Sequence, residues 1–481
     1  MMKSLKKNLK YQTIYQILTV VTPLITSPYL SRTLGVESLG IYSYTQSIVN
    51  YFMIFAMLGF INYGTRTIAM ESSYANKKVV FNEIYAVQVV FCILSIVSYF
   101  FFSMIYDYNT KYLMLQSFWL FSCLFDVSWY FFGNEEYKTT VVRSIIIKIL
   151  TVAAILLFIH SHSDTAIYIF IMSFGTLISQ FILWTIVFKN KLLTKVNLYV
   201  AFKKHLRPVI ILFIPYVAMS VYHILDKTML GALSDARQSG LYYNSDKLVN
   251  IPLSVINGIG IVMLSRISLL QNNKDSKNKI FKLLSLSITA IVLVGSAITF
   301  GLAAVAKDFI PIFFGVGYEE CINIVSIFSS VIIFKAISNL LVTQYFIPFK
   351  KEKYQTICVL FGVIINVILN YILIKSFNMG ALGVTIATII TEFLVMTCEI
   401  IYVNSKIKIV FQIVKALPFM VIGLIMLFVV RYVAIIRVGV VLKLFLEVCC
   451  GGIVYIVLSL LYLKLIDNDL YGYILNIIKK S

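Results

Sequence analysis

The sequence predicts an all-α polytopic membrane protein, with about fourteen transmembrane helices forming two parallel-repeat six-helix lobes plus two extra helices. Three observations predict the membrane class. Hydrophobic residues make up 60% of the 481 and charged residues only 13%, against about 25% charged in a soluble domain. Apolar stretches long enough for a hydrocarbon core of roughly 30 Å recur from one end to the other. The polar loops between them alternate in positive charge.

The spans follow in order. The first, 11–33, comes after Lys3, Lys6, Lys7 and Lys10 and contains Gln16, Pro23 and Pro28. It is too long for a signal-peptide core and lacks a small-residue cleavage pattern. Spans at 40–64, 79–104, 112–133, 140–161 and 164–188 complete an N-terminal six-helix lobe, 1–188. A basic linker, 189–208, leads to spans at 209–233, 246–270, 283–305, 321–347, 354–374 and 380–403, a C-terminal lobe over 209–404. Residues 405–481 hold two additional helices, 416–436 and 439–463, and a tail. Pro23, Pro28, Pro215 and Pro252 fall in the first two helices of the lobes, where a lost backbone hydrogen bond permits a bend.

With the amino terminus inside, the inner loops and tails carry 29 of the 41 Lys and Arg, and the outer loops and span ends carry nine. This asymmetry predicts an inner-membrane-type protein with both termini in the cytoplasm. The net charge of +20 then belongs to loops beside anionic headgroups. No soluble basic domain gathers it, which argues against nucleic acid as a partner. No phosphate-binding P-loop is present. The seven cysteines show no CxxC spacing and the four histidines no metal-ligand or nucleophile–base spacing, so no metal, cofactor or enzymatic chemistry is predicted.

Gly40-Ile-Tyr42 through Val49-Asn50 matches Gly240-Leu-Tyr242 through Val249-Asn250 at a constant offset of 200 residues. Arg32-Thr33-Leu-Gly35 is echoed by Lys227-Thr228-Met-Leu-Gly231. An even number of spans separates the copies, so the repeat is parallel.

Several strings resemble the bacterial polysaccharide-repeat-unit flippases of the Wzx type. They are Leu30-Ser-Arg32-Thr-Leu-Gly35, Leu58-Gly59, Tyr63-Gly64-Thr-Arg66, and the run from Asp126-Val-Ser-Trp129 through Gly133 to Lys138. The second lobe adds Asp226-Lys227-Thr-Met-Leu-Gly231, Gly240-Leu-Tyr-Tyr243 and Gly380-Ala-Leu-Gly383. The resemblance implies the multidrug/oligosaccharidyl-lipid/polysaccharide exporter fold, with the two six-helix lobes around a central cavity. It also implies alternating-access transfer of an undecaprenyl-diphosphate-linked oligosaccharide from the inner to the outer leaflet, for capsule or O-antigen assembly. Polysaccharide polymerase machinery is then a candidate partner beside the lipid bilayer, and coupling to Na+, H+ or membrane potential is open. The rivals are a cation-coupled multidrug exporter of the same fold, which needs an acidic cavity, and a membrane-embedded glycan polymerase or ligase, which needs a large outer loop.

Charges inside the membrane either pair or face water. Arg32, Lys227 and Lys335 are the expected diphosphate-attracting cations. Arg66 stands where a headgroup approaches from inside, and Asn50 and Asn250 are placed to bond sugar hydroxyls or each other's lobe. Asp126 and Lys148 flank a short hairpin at equal sequence distance, which predicts an ion pair, structural or opened by substrate. Asp226 joins them as a gate or scaffold ion, and Glu392, mid-span, is the alternative partner of Lys335. Glu83 and Glu399 lie near inner ends and read as solvated.

Overall fold

The computed structural model describes residues 2–106, 108–271, 277–436 and 438–466. Part of the inner basic loop before Lys277 and the tail beyond 466 therefore lie outside the described residues. Two compact units divide the chain, 1–240 and 241–481.

In the first unit, α1 (Met2–Thr33) is followed by α2 (Gly35–Met57), α3 (Phe60–Met70) and α4 (Tyr74–Ile105). Next come α5 (Thr110–Leu124), α6 (Ser128–Gly133), α7 (Tyr137–Phe158), α8 (Thr165–Lys189) and α9 (Leu198–Leu233). α10 (Ala236–Gln271) begins in this unit and continues into the second. There α11 (Lys277–Phe314), α12 (Glu320–Phe328), α13 (Val331–Leu341), α14 (Glu352–Tyr371) and α15 (Gly380–Asn404) follow. The short α16 (Val410–Ala416), α17 (Pro418–Val433) and α18 (Val440–Ile466) end the described chain.

Among the described residues, ten helical stretches are long and apolar enough to cross a bilayer. Their outward faces carry large apolar side chains such as Phe101, Leu157, Ile401 and Phe428. Lipid can cover such a surface and water cannot. Inside the bilayer, association depends on close packing more than on water exclusion. The core of the first unit accordingly interlocks aromatics, including Phe60, Phe81, Trp129 and Trp184.

The prolines do not interrupt their helices. α1 continues through Pro23 and Pro28, and α10 through Pro252, while the Pro215 side chain lies outside the described set. The breaks fall elsewhere. The second predicted span divides at Leu58 and Gly59, both left-handed with φ of 43° and 98°. The fourth divides between α5 and α6. The tenth divides into α12 and α13 and ends in a π-turn over Val342–Phe346.

The repeat has a physical basis in the first turn of α10. A methyl group added at Gly40 would overlap the Ala236 carbonyl, and one added at Gly240 would overlap the Val36 carbonyl. Both pairs stand at the same 200-residue offset, so the two backbones cross about a local twofold with no room for side chains. Burial follows the offset as well, since Tyr42 and Tyr242, Thr45 and Ser245, and Val49 and Val249 are all buried.

Candidate functional site

The motif residues Tyr63–Arg66 and Asp126–Gly133 assemble where α3, α4 and α6 meet, whereas Leu34 and Gly35 meet His162. Gly64 lies under the Trp129 ring, and Gly133 meets Ile68 and the Thr65 carbonyl, so α3 and α6 lie in intimate contact. The break between α5 and α6 frees backbone carbonyls that hydrocarbon cannot satisfy. Fully buried Gln88 on α4 answers them, its Nε2 donating to Cys123 O and Asp126 O, each at 2.9 Å. Its Oε1 accepts from Trp129 Nε1 at 3.0 Å. Asp126 Oδ1 accepts from Ser128 N, the first residue of α6, at 2.9 Å, the local bond of an Asx turn.

Asp126 and Lys148 do not form an ion pair. Lys148 Nζ lies 3.2 Å from Thr19 Oγ1 on α1, and the Asp126 carboxylate turns back to its own chain. Equal depth does not fix the face a side chain takes, because each residue turns a helix by about 100°.

Arg32 is exposed in the last turn of α1, where a cation also favours the helix dipole. Arg66 is exposed on α3. Asp226 is buried and Lys227 half-buried on α9, the helix that packs on α2 and α4. Beside them Thr228 Oγ1 donates to Ser47 Oγ at 3.0 Å, and the Tyr51 phenol faces Thr228 and Asp226. Asn50 is half-buried on α2.

In the second unit, Lys335 Nζ on α13 lies 3.5 Å from Glu392 Oε1 on α15, both largely buried. The alternative partner is therefore the one present, and this mid-membrane cation is balanced by an acid. Asn250 Nδ2 donates to Asp246 O at 2.8 Å and to Asp246 Oδ1 at 2.6 Å, one turn back on its own helix. Glu399 is fully buried rather than solvated. Asp308 on α11 and Lys443 on α18 form a further pair at 2.9 Å.

Two sites were not read from sequence. Arg143, counted as an inner-loop anchor, is buried, and its Nη1 donates to Ser179 O at 3.1 Å and Gln180 Oε1 at 2.7 Å. It lines, with Ser128, Tyr137, Thr140 and Ser144, a cavity of about 230 Å³, smaller than the roughly 300–1,000 Å³ of ligand pockets. The other joins Tyr63, Glu83, Lys204 and His205. Tyr63 Oη is 2.6 Å from His205 Nδ1, and Glu83 Oε2 is 2.9 Å from His205 Nε2 and 2.7 Å from Lys204 Nζ. Glu83 is thus paired rather than simply solvated. Its partners lie more than 120 residues away, beyond the reach of spacing rules. Among the described residues no group of His, Cys, Asp and Glu is arranged to hold a metal ion.

The model of a family described as polysaccharide biosynthesis protein matches residues 5–271, more than half of the chain. The chain belongs to that family. A relative from Escherichia coli (strain K12), named "Putative O-antigen transporter", is 26% identical over 84% of this chain and 97% of its own length. Another of the same name, from Shigella dysenteriae, is 23% identical over 82% and 98%. Among solved structures, lipid II flippase MurJ in an inward closed conformation superposes with a TM-score of 0.77 at 15% identity, covering 94% of this chain and 98% of that one. An inward-facing multidrug resistance MATE family transporter of the MOP superfamily gives 0.59 at 11% identity, covering 81% and 98%. This polysaccharide biosynthesis family member therefore shares the fold of these two membrane proteins.

Proposed function

We propose that the protein transfers an undecaprenyl-diphosphate-linked oligosaccharide repeat unit from the inner to the outer leaflet by alternating access, for capsule or O-antigen assembly. The observation that carries this reading is the match, over nearly their whole length, to relatives named as O-antigen transporters. The charge inventory supports it. A diphosphate and its sugars cannot enter hydrocarbon unaided, since desolvating them costs tens of kcal/mol by order of magnitude. Arg32, Lys227 and Arg66 are cations suited to offset that cost, Arg by bidentate contact and Lys as a point charge.

Lys335 contributes as half of an ion pair with Glu392, which a passing diphosphate could compete for. Asn50 retains its role toward sugar hydroxyls, and Asn250 acts with Asp246. Asp226 serves as a gate ion on α9. Asp126 and Lys148 hold the scaffold. The charge asymmetry supports an orientation with both termini in the cytoplasm, and polysaccharide polymerase machinery is the proposed recipient of the product outside.

The test is a deletion strain complemented with wild type or with Arg32→Ala plus Lys227→Ala, scored for the leaflet in which lipid-linked repeat units accumulate. Accumulation on the inner leaflet in the null and the double mutant, at normal protein levels, is expected. A null strain that still exports polymer but gains sensitivity to cationic drugs would replace the flippase with a multidrug exporter.

A further inference from the structure

Four polar side chains from three helices close on one another where α9 begins. His205 is fully buried, and each ring nitrogen has one partner. In the neutral ring Nε2–H donates to Glu83, and Nδ1 accepts the Tyr63 hydroxyl proton. Glu83 and Lys204 already balance each other's charge, so charge neutrality does not require the imidazole. What it does is join α9 to α3 and α4, elements separated from it by 142 and 122 residues.

A proton added to the Nδ1 lone pair turns an acceptor into a donor. The Tyr63 O–H then faces an N–H and has to rotate, so the present bond to α3 is broken. It can re-form only reversed, with the phenol oxygen accepting and the phenol's own proton needing a new acceptor. The new charge also lies beside the Lys204 ammonium, with one carboxylate to serve both. Tyr63 from α3, Glu83 from α4 and Lys204 from α9 are the titratable groups that bear on this ring. Burial holds the His205 pKa below its ordinary 6.5, opposed by Glu83 and assisted by Lys204. A state in which α9 lifts away and the ring meets water binds the proton better, so acid shifts the population toward that state.

We propose that His205 is a proton-binding site whose protonation releases the first turns of α9 from α3 and α4, coupling translocation to the proton concentration on the face where residues 189–207 lie. The release stands on the geometry alone, whereas the coupling rests on the flippase reading.

The full-length protein tests it in two ways. Labelled with 15N-histidine, it presents four imidazoles, and His205→Gln identifies the signal of interest. His205 is expected to titrate below 6.5. Backbone amides of residues 198–206, corrected for intrinsic rates, are expected to exchange faster at about pH 5.5 than at about pH 7.5 in wild type and not in His205→Gln. Should His205→Gln misfold, Tyr63→Phe removes the hydroxyl that Nδ1 accepts from and moves the loosening to higher pH. Equal loosening in His205→Gln, or an unmoved midpoint in Tyr63→Phe, overturns the site.

In proteoliposomes, translocation of a lipid-linked oligosaccharide should rise at least about threefold between roughly pH 7.5 and pH 6 in wild type, as expected when the pKa differs between two states. The rise should be absent in His205→Gln. A variant that keeps it overturns the coupling. Wild-type protein that moves no oligosaccharide at any pH instead overturns the flippase reading and takes the coupling with it, leaving the exchange result to decide the release.

Discussion

In the first copy of the repeat, the helix that crosses at Gly40 ends at Met57, turns through Leu58 and Gly59, and resumes as α3. In the second copy, the helix that crosses at Gly240 runs unbroken to Gln271 and passes through Gly258, 200 residues from Leu58. The crossing is shared because backbone meets backbone there and only glycine fits. The break is private to one copy. Gly59 adopts φ of 98°, a conformation L residues avoid, while Gly258 lies in open helix where an added methyl meets nothing within 4 Å. The repeat therefore conserves how helices meet and leaves how they bend to local residues. Bending equips the first copy with α3, which carries Arg66 and Tyr63.

The two fourth spans repeat the lesson. Both are divided, and both are steadied from the preceding helix. Gln88 of α4 serves the carbonyls freed between α5 and α6, and Thr299 of α11 donates to Ser329 O between α12 and α13 at 3.1 Å.

The largest effect should come from the shared crossing. Gly40→Leu and Gly240→Leu are each expected to cost more than about 3 kcal/mol, the scale of severe overpacking, and to do so equally. Yield and thermal stability in detergent measure this, and a tolerated substitution in one copy breaks the symmetry. Next, Gln88→Leu removes the donor to the Asp126 carbonyl and the acceptor of the Trp129 N–H, leaving Cys123 O to the Asp126 N–H alone, and should cost about 3 kcal/mol. Thr299→Val removes one of two donors to Ser329 O, which keeps the Ile332 N–H, and should cost about 1 kcal/mol by the same measurement.

The helix break separates the copies by sign. Gly59→Ala should destabilise by roughly 1–2 kcal/mol, whereas Gly258→Ala should stabilise by roughly 0.5–1 kcal/mol. Melting temperatures of the two variants decide it. The smallest effect is the pH dependence that His205 gives the first unit. Its folded pKa is depressed by burial, so the unfolded chain binds the proton more readily. Its contribution is complete above the unfolded value of about 6.5 and is lost as pH falls toward the folded one. His205→Gln should flatten thermal stability across that window.

The helical class, the membrane setting and the 200-residue offset were legible because periodicity, hydropathy and charge asymmetry act locally. So was the Lys335–Glu392 alternative, since two mid-span charges at matching depth have few other partners. The helix breaks were not legible. The prolines that advertised bends lie in continuous helices, and the actual break places Leu58, an ordinary helix former, in a left-handed conformation. The Asp126–Lys148 pairing failed because sequence gives depth and withholds the facing direction. The Tyr63–His205–Glu83 cluster was invisible because its members come together only when α9 folds back onto α3 and α4.

The central claim is tested most directly by purified protein in liposomes that hold a diphosphate-linked oligosaccharide lipid initially in one leaflet, with its appearance in the other followed by an impermeant glycan-cleaving reagent. The account predicts wild-type transfer well above protein-free vesicles and loss of most of it in Arg32→Ala plus Lys227→Ala. Transfer no faster than in empty vesicles, with folded protein present, would contradict it.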